Sequence, residues 1–245
     1  MLRETGAVAK RELGGYFSTP VAYVFIVIFL AVASALTFYV GGFFERQQAS
    51  LEPFFSFHPW LYLFLIPAVS MRLWAEERKS GTVELLMTMP LSSSMAVVGK
   101  FVAAWLFIGV ALILTFPLWI TVNVLGEPDN GVIVAGYLGS FLMAGAFLAI
   151  GSCMSAFTRN QVVAFILAAA VCFLFCMAGL ELVQDVVQQV FPPVVAETVA
   201  GLSFLSRFAA IVKGVIDARD IVFFVSMILF WLFATVVALD SERAR

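Results

Sequence analysis

Residues 101–126 read FVAAWLFIGVALILTFPLWITVNVLG, a run with no Asp, Glu, Lys or Arg, bounded by Lys100 on one side and Glu127 on the other. A helix needs about 20 predominantly apolar residues to cross the hydrocarbon core of a bilayer. One charged side chain at the centre of such a helix costs roughly 2.5–3.5 kcal/mol on insertion scales. A stretch that avoids charge for this long reads as a membrane span. Charge-free runs of similar length recur at 20–42, 53–71, 131–158, 161–180 and 221–239.

Composition points the same way. Hydrophobic residues make up 62% of the chain and charged residues 12%, with a mean hydropathy of +1.03. Soluble domains run about 45–50% apolar and about 25% charged, so a water-soluble enzyme is excluded. The net charge of −2 offers no basic face for nucleic acid. The expected fold is an all-α integral membrane protein, one transmembrane domain over 1–245. Its six transmembrane helices fall at 20–42, 53–74, 97–124, 131–158, 161–180 and 220–240, and residues 1–19 form an N-terminal interfacial helix.

Six spans put both termini on one side. With the termini inside, that side holds ten cations, namely Arg3, Lys10, Arg11, Arg72, Arg78, Lys79, Lys100, Arg159, Arg243 and Arg245. The other keeps only Arg46, Arg207, Lys213 and Arg219. The bias obeys the positive-inside rule, so both termini are expected in the cytoplasm.

The segments between the spans carry the remaining signals. In 2–17 the residues Leu2, Ala9, Leu13, Tyr16 and Phe17 share one helical face opposite Lys10, Arg11 and Glu12, as in a helix lying in the interface. Ser18-Thr19-Pro20 then turns the chain into the membrane. Between spans two and three, Ala75 to Gly81 reads as a charged turn. Thr82 caps a short coupling helix that Pro90 stops, and Ser92-Ser93-Ser94 caps the next span. An exposed charged helix there suits docking onto a soluble partner. In span four Gly136, Gly139, Ser140, Ala144 and Gly145 place small side chains where helices pack closely, within one chain rather than between subunits. The apolar but interrupted stretch 181–220 suits re-entrant or interfacial helices.

Much chemistry is missing. No span carries an ionisable group of the kind that proton or cation coupling needs. His58, beside Pro59 and Trp60, has no second metal ligand near it in sequence and reads as an interface residue. Cys153, Cys172 and Cys176 lie in apolar runs and read as small buried hydrophobes. Gly99-Lys100 is followed by Phe101, with no glycine at phosphate-loop spacing, so the chain is not expected to bind or hydrolyse ATP. No cofactor or metal is expected in the chain, and any energy must come from another subunit.

Lys10-Arg11-Glu12-Leu13 with Phe17 to Val24, then Glu76-Glu77-Arg78-Lys79-Ser80-Gly81-Thr82-Val83-Glu84-Leu85-Leu86 through Pro90 and Gly99-Lys100, resemble permease subunits of the type-2 ABC exporter family. Leu202 to Phe208 and Gly214 to Asp220 resemble that family's bacterial gliding-motility branch. The resemblance implies a permease of the bacterial inner membrane that pairs with a second copy as a homodimer. It also implies a separate cytoplasmic ATPase subunit, which binds the ATP and Mg. The contact with that ATPase is expected at Lys10, Arg11, Glu12, Glu76, Glu77, Arg78, Gly81, Thr82 and Glu84. A membrane-anchored auxiliary subunit with a large extracytoplasmic domain commonly accompanies the gliding branch. The alternative is a mechanotransmitting subunit that relays ATPase motion to such a partner without translocating a substrate. For an exporter, Ser34, Thr37, Thr115, Ser152, Ser155 and Ser226 are candidates to line the path.

Overall fold

The structure is a computed structural model that describes residues 2–82 and 92–243. Among them every regular element is helical. Helix α1 spans Leu2–Phe17, and Ser18 and Thr19 close its end by donating to the carbonyls of Gly15 and Tyr16. Pro20 starts α2 (Pro20–Ala35) at a position whose N–H would have no partner in any case. A π-helical turn, Leu36–Val40, carries it on to Gly41. Then follow α3 (Glu52–Ser56), α4 (His58–Ser70), α5 (Arg72–Ser80), α6 (Ser93–Ile113) and α7 (Phe116–Leu125). The rest are α8 (Asn130–Ala156), α9 (Gln161–Met177), α10 (Glu181–Val190), α11 (Pro193–Gly201), α12 (Phe204–Val212) and α13 (Ala218–Arg243).

Among the described residues four stretches are long and apolar enough to span a bilayer: Pro20–Val40, Ser93–Leu125, Asn130–Ala156 and Ala218–Ser241. The count reaches six if each of two bent pairs is one span, α9 with α10 bent by 80° and α11 with α12 bent by 56°. Several expected boundaries shift. The segment expected at 53–74 is divided among α3, α4 and the start of α5, with breaks at Phe57 and Met71 and with Pro67 inside α4. Proline supplies no N–H and crowds the preceding turn, which shortens continuous helix. The run at 97–124 is likewise interrupted before Pro117. The stretch read as a charged turn, 75–81, is helical instead: it belongs to α5, which ends where Gly81 adopts a left-handed φ of 74°. The helix expected after Thr82 lies outside the described residues.

Helix α8 is the axis. In its most apolar 18-residue window 72% of residues are buried, against 33% for the spans of α2 and α13. It packs on α13, α9, α4, α12, α6 and α5. Small residues allow this crowding. A Cβ at Gly136 would lie 2.5 Å from the Phe55 ring, one at Gly139 2.6 Å from Ile211, and one at Gly145 2.9 Å from both Trp105 and Ile228. The side chain of Ser70 fills the space beside Gly151.

The bundle has two distinct ends. At one, Ser93 donates to Asp240 at 2.6 Å, and Lys79 borders a cavity with Arg159 to Val162. At the other, residues 49–52 border a cavity with 128–133 and Val212. There Arg207 donates to the buried Asp220 at 2.8 Å, joining α12 to the start of α13. Segments of one expected membrane side thus gather at one end.

Candidate coupling site

The site lies where α1, α5 and the start of α6 meet. Its first determinant is Gly99: a Cβ there would fall 2.7 Å from Val8 of α1, so only a glycine lets α1 lie directly on α6. One turn further along α1, Glu12 faces Lys100. Tyr16 then stacks on Phe107 of α6 with ring centroids 5.1 Å apart, and Phe17 meets the same ring edge-on. Burial first, and then the nearby Glu12 carboxylate, push the Tyr16 hydroxyl above its usual pKa.

Lys100 is 3% exposed. Its ammonium donates to Glu77 Oε1 at 2.5 Å and to the Leu73 carbonyl at 3.2 Å, and lies 3.8 Å from Glu12 Oε2. The Trp74 ring sits 5.1 Å from it in cation–π geometry. Arg11 pairs with Glu12 at 2.8 Å, which extends the network to the surface. One buried cation therefore ties three helices together. Glu77 Oε2 is itself buried with no hydrogen-bond partner among the described residues, so the cluster depends strongly on Lys100.

The break at Met71 is stabilised from α8. The Ser155 hydroxyl accepts from the backbone N–H groups of Trp74 and Ala75 at 3.1 and 3.0 Å and donates to the Met71 carbonyl at 2.9 Å. It caps α5 in place of a residue of α5's own. Ser152 accepts from Trp74 Nε1 at 3.0 Å. Neither serine is free to line a path. Thr37 and Thr115 are also buried, donating to the carbonyls of Ala33 and Leu112. Of the six hydroxyl residues read as path-lining, the four buried ones serve the bundle's own backbone and side chains, because buried polar groups need partners where water is absent, and the exposed Ser226 donates to the Phe223 carbonyl.

The residues expected at the ATPase contact separate into two sets. Glu12 and Glu77 are half-buried and turned inward to Lys100, whereas Lys10, Arg11, Glu76 and Thr82 are exposed. Arg78 is half-buried beside them, Gly81 ends α5, and Glu84 lies outside the described residues. Lys100 was read as a cytoplasmic-side cation, as part of the Gly99-Lys100 family motif and as a failed phosphate-loop lysine, but not as a buried partner of Glu12 and Glu77. Its position at the very edge of a 26-residue charge-free run was the available signal.

Of the span-four residues, Gly136, Gly139, Ala144 and Gly145 are buried against other helices of the same chain. Ser140 does more than pack. Its hydroxyl lies 2.6 Å from Tyr62 OH and 3.1 Å from His58 Nδ1, inside a box formed with Phe29, Phe54 and Phe55. His58 is fully buried rather than at the interface, and its Nε2 has no hydrogen-bond partner among the described residues. The aromatic Phe54-Phe55 pair ahead of it draws the ring inward. Ser140→Ala is expected to lower stability by about 1–3 kcal/mol, since Tyr62 and His58 both lose a partner that water cannot replace. Thermal unfolding of the detergent-solubilised chain measures this, and an unchanged midpoint would show the triad to be energetically idle.

An all-helical bundle with several helices long and apolar enough to cross a bilayer is the frame of a polytopic membrane protein. The profile of a family described as ABC-2 family transporter protein matches residues 61–239, more than half of the chain. The chain belongs to that family, and is thus a multi-pass membrane protein of the ABC transporter class whose members work with an ABC ATPase. No curated protein matches it.

Proposed function

We propose that the chain is the permease subunit of an ATP-driven exporter, pairing with a second copy and driven by a separate cytoplasmic ATPase. The single observation that carries this reading is the Lys100 cluster. Through it, α5 is fixed both to the interfacial helix and to a long span, so force applied just beyond Gly81 reaches the bundle. The end bearing this cluster faces the cytoplasm in our reading, together with both termini. Helices α2, α4, α6–α7, α8, α9 and α13 then form the six spans, and α10 to α12 line the outer surface between the last two. The likeness of 202–220 to the gliding-motility branch extends the proposal to a membrane-anchored auxiliary subunit, detectable by copurification.

The test is recruitment of the ATPase. Truncating one side of a desolvated interfacial charge pair costs about 2–5 kcal/mol, and Glu84→Arg, which reverses the sign, is expected to weaken recruitment by more. Glu127→Arg, in the exposed α7–α8 connection at the other end of the bundle, is expected to leave it intact. The chain alone is expected to hydrolyse no ATP. Pull-down with membrane abundance measured alongside decides: wild-type recruitment and stimulation by Glu84→Arg would reduce the 83–91 segment to a connector.

A further inference from the structure

Two cavities open beside the Lys100 cluster, and they meet. One, of about 230 Å³, is apolar and runs between α2, α4 and α6, with Phe25, Ile28, Leu65 and Val69 in its walls. The other, of about 270 Å³, is bordered by Glu12, Glu76, Glu77 and Lys100. Tyr16, Thr19 and Arg72 line both. The combined crevice has an apolar arm and a charged arm joined at a guanidinium. We propose that it binds one phospholipid carrying a primary amine, with an acyl chain in the apolar arm, the phosphate on Arg72 and the ammonium on Glu76. That the lipid belongs to the inner leaflet rests on the orientation proposed above.

The charges select this ligand. Lys100 is buried and already engaged by Glu77 and the Leu73 carbonyl. Arg72 and Glu76 are exposed, and the side chain of neither has a hydrogen-bond or ion-pair partner among the described residues. They stand one turn apart on α5, where side chains at i and i+4 share a face with Cβ atoms about 5–6 Å apart. A phosphate and an ammonium joined by two carbons match that spacing and its order of charge. The planar guanidinium suits phosphate oxygens, and a carboxylate beside it accepts from a primary ammonium. A quaternary ammonium has no N–H to give, and a glycerol headgroup has no cation to set against Glu76. Among the described residues, an anionic lipid would meet three carboxylates in this arm and one cation, Arg72, not already engaged by another side chain. The exposed side chains of Val21, Val24 and Ile28 continue the apolar arm onto the outer face of α2, which leaves a lateral way in from the bilayer.

Native mass spectrometry of the detergent-purified full chain tests the site. The probes are phosphatidylethanolamine, phosphatidylcholine and phosphatidylglycerol with identical acyl chains. Wild type is expected to retain the ethanolamine lipid about tenfold better than either other lipid. Arg72→Gln should lower that retention about tenfold and Arg72→Lys much less. Glu76→Gln should remove the preference over phosphatidylglycerol, and Ala68→Trp, which fills the apolar arm, should lower retention of all three. Arg46→Gln, at the other end of the bundle, is the control and should change nothing. Equal retention of the three lipids by wild type, or wild-type retention by both Arg72→Gln and Glu76→Gln, would overturn the proposal. ATPase recruitment by the same preparations separates this failure from failure of the permease reading.

Discussion

Lys100→Met is expected to destabilise the protein by about 3 kcal/mol and to abolish stimulation of the ATPase. Methionine keeps most of the chain length and the apolar contact with Trp74 but removes the charge. The Glu77 carboxylate then loses the ammonium that pairs with it, the Leu73 carbonyl loses a donor, and Glu12 is left facing Glu77 across the vacated position. Breaking a buried pair by deleting one member typically costs 3–5 kcal/mol, because the remaining charge stays desolvated. Glu77 is about a quarter exposed (24%), so water relieves part of this and the lower end of the range applies. The double variant Lys100→Met with Glu77→Gln carries no stranded charge there and should recover at least half of the lost stability. Coupling energies between contacting residues reach about 0.5–3 kcal/mol, large enough to resolve by thermal unfolding in detergent. Stimulation should not recover, because α5 is no longer held to α1 and α6 by charge. Additive losses in stability would show that the two residues do not act as a pair. Full stimulation by the double variant would show that the cluster only holds the fold.

The sequence and the structure agree most where physics is local. Ser92 was in place to cap α6, and its side chain accepts from Met95 N. Pro20 marks the start of α2 for a reason that needs no tertiary contact. Hydropathy likewise locates apolar helices, since each side chain contributes its own transfer free energy. What was not legible depends on neighbours remote in sequence. Nothing near 75–81 reveals that Ser155 caps its helix from 80 residues away. Nothing near Glu12 or Glu77 in sequence says that both carboxylates turn inward to Lys100 rather than outward to a group on another protein. A charged residue on a helix next to the membrane reads as a docking group until the packing shows an internal partner. His58 was misplaced for the same reason: its neighbours Pro59 and Trp60 suggest an interface, while the partners that bury it, Ser140 and Phe29, lie on other helices.

Gly139→Leu is expected to disrupt folding outright, whereas Leu142→Ala, one turn away on the same helix, is expected to be tolerated. At Gly139 the backbones of α8 and α12 approach so closely that a single Cβ would already sit 2.6 Å from Ile211 Cγ2, nearer than any real Cβ contact. Leucine adds three further carbons in the same direction. Overpacking a filled core costs typically 1–3 kcal/mol and occasionally more, and here the neighbour cannot retreat, because Ile211 is buried and its helix is tied to α13 through Arg207 and Asp220. Leu142 is only half-buried, so its truncation leaves space that lipid or a neighbouring side chain can fill. In a bilayer, helices associate through close packing and not through exclusion of water, which makes a steric wedge more damaging than lost apolar area. The two variants differ in yield of monodisperse protein after detergent extraction, and equal yields would argue against a close crossing. The decisive comparison is Gly139→Leu combined with Ile211→Ala, which returns volume at the point of collision. If the crossing is what fails, the pair should fold better than Gly139→Leu alone, although Ile211→Ala by itself removes buried surface and should weaken the wild type.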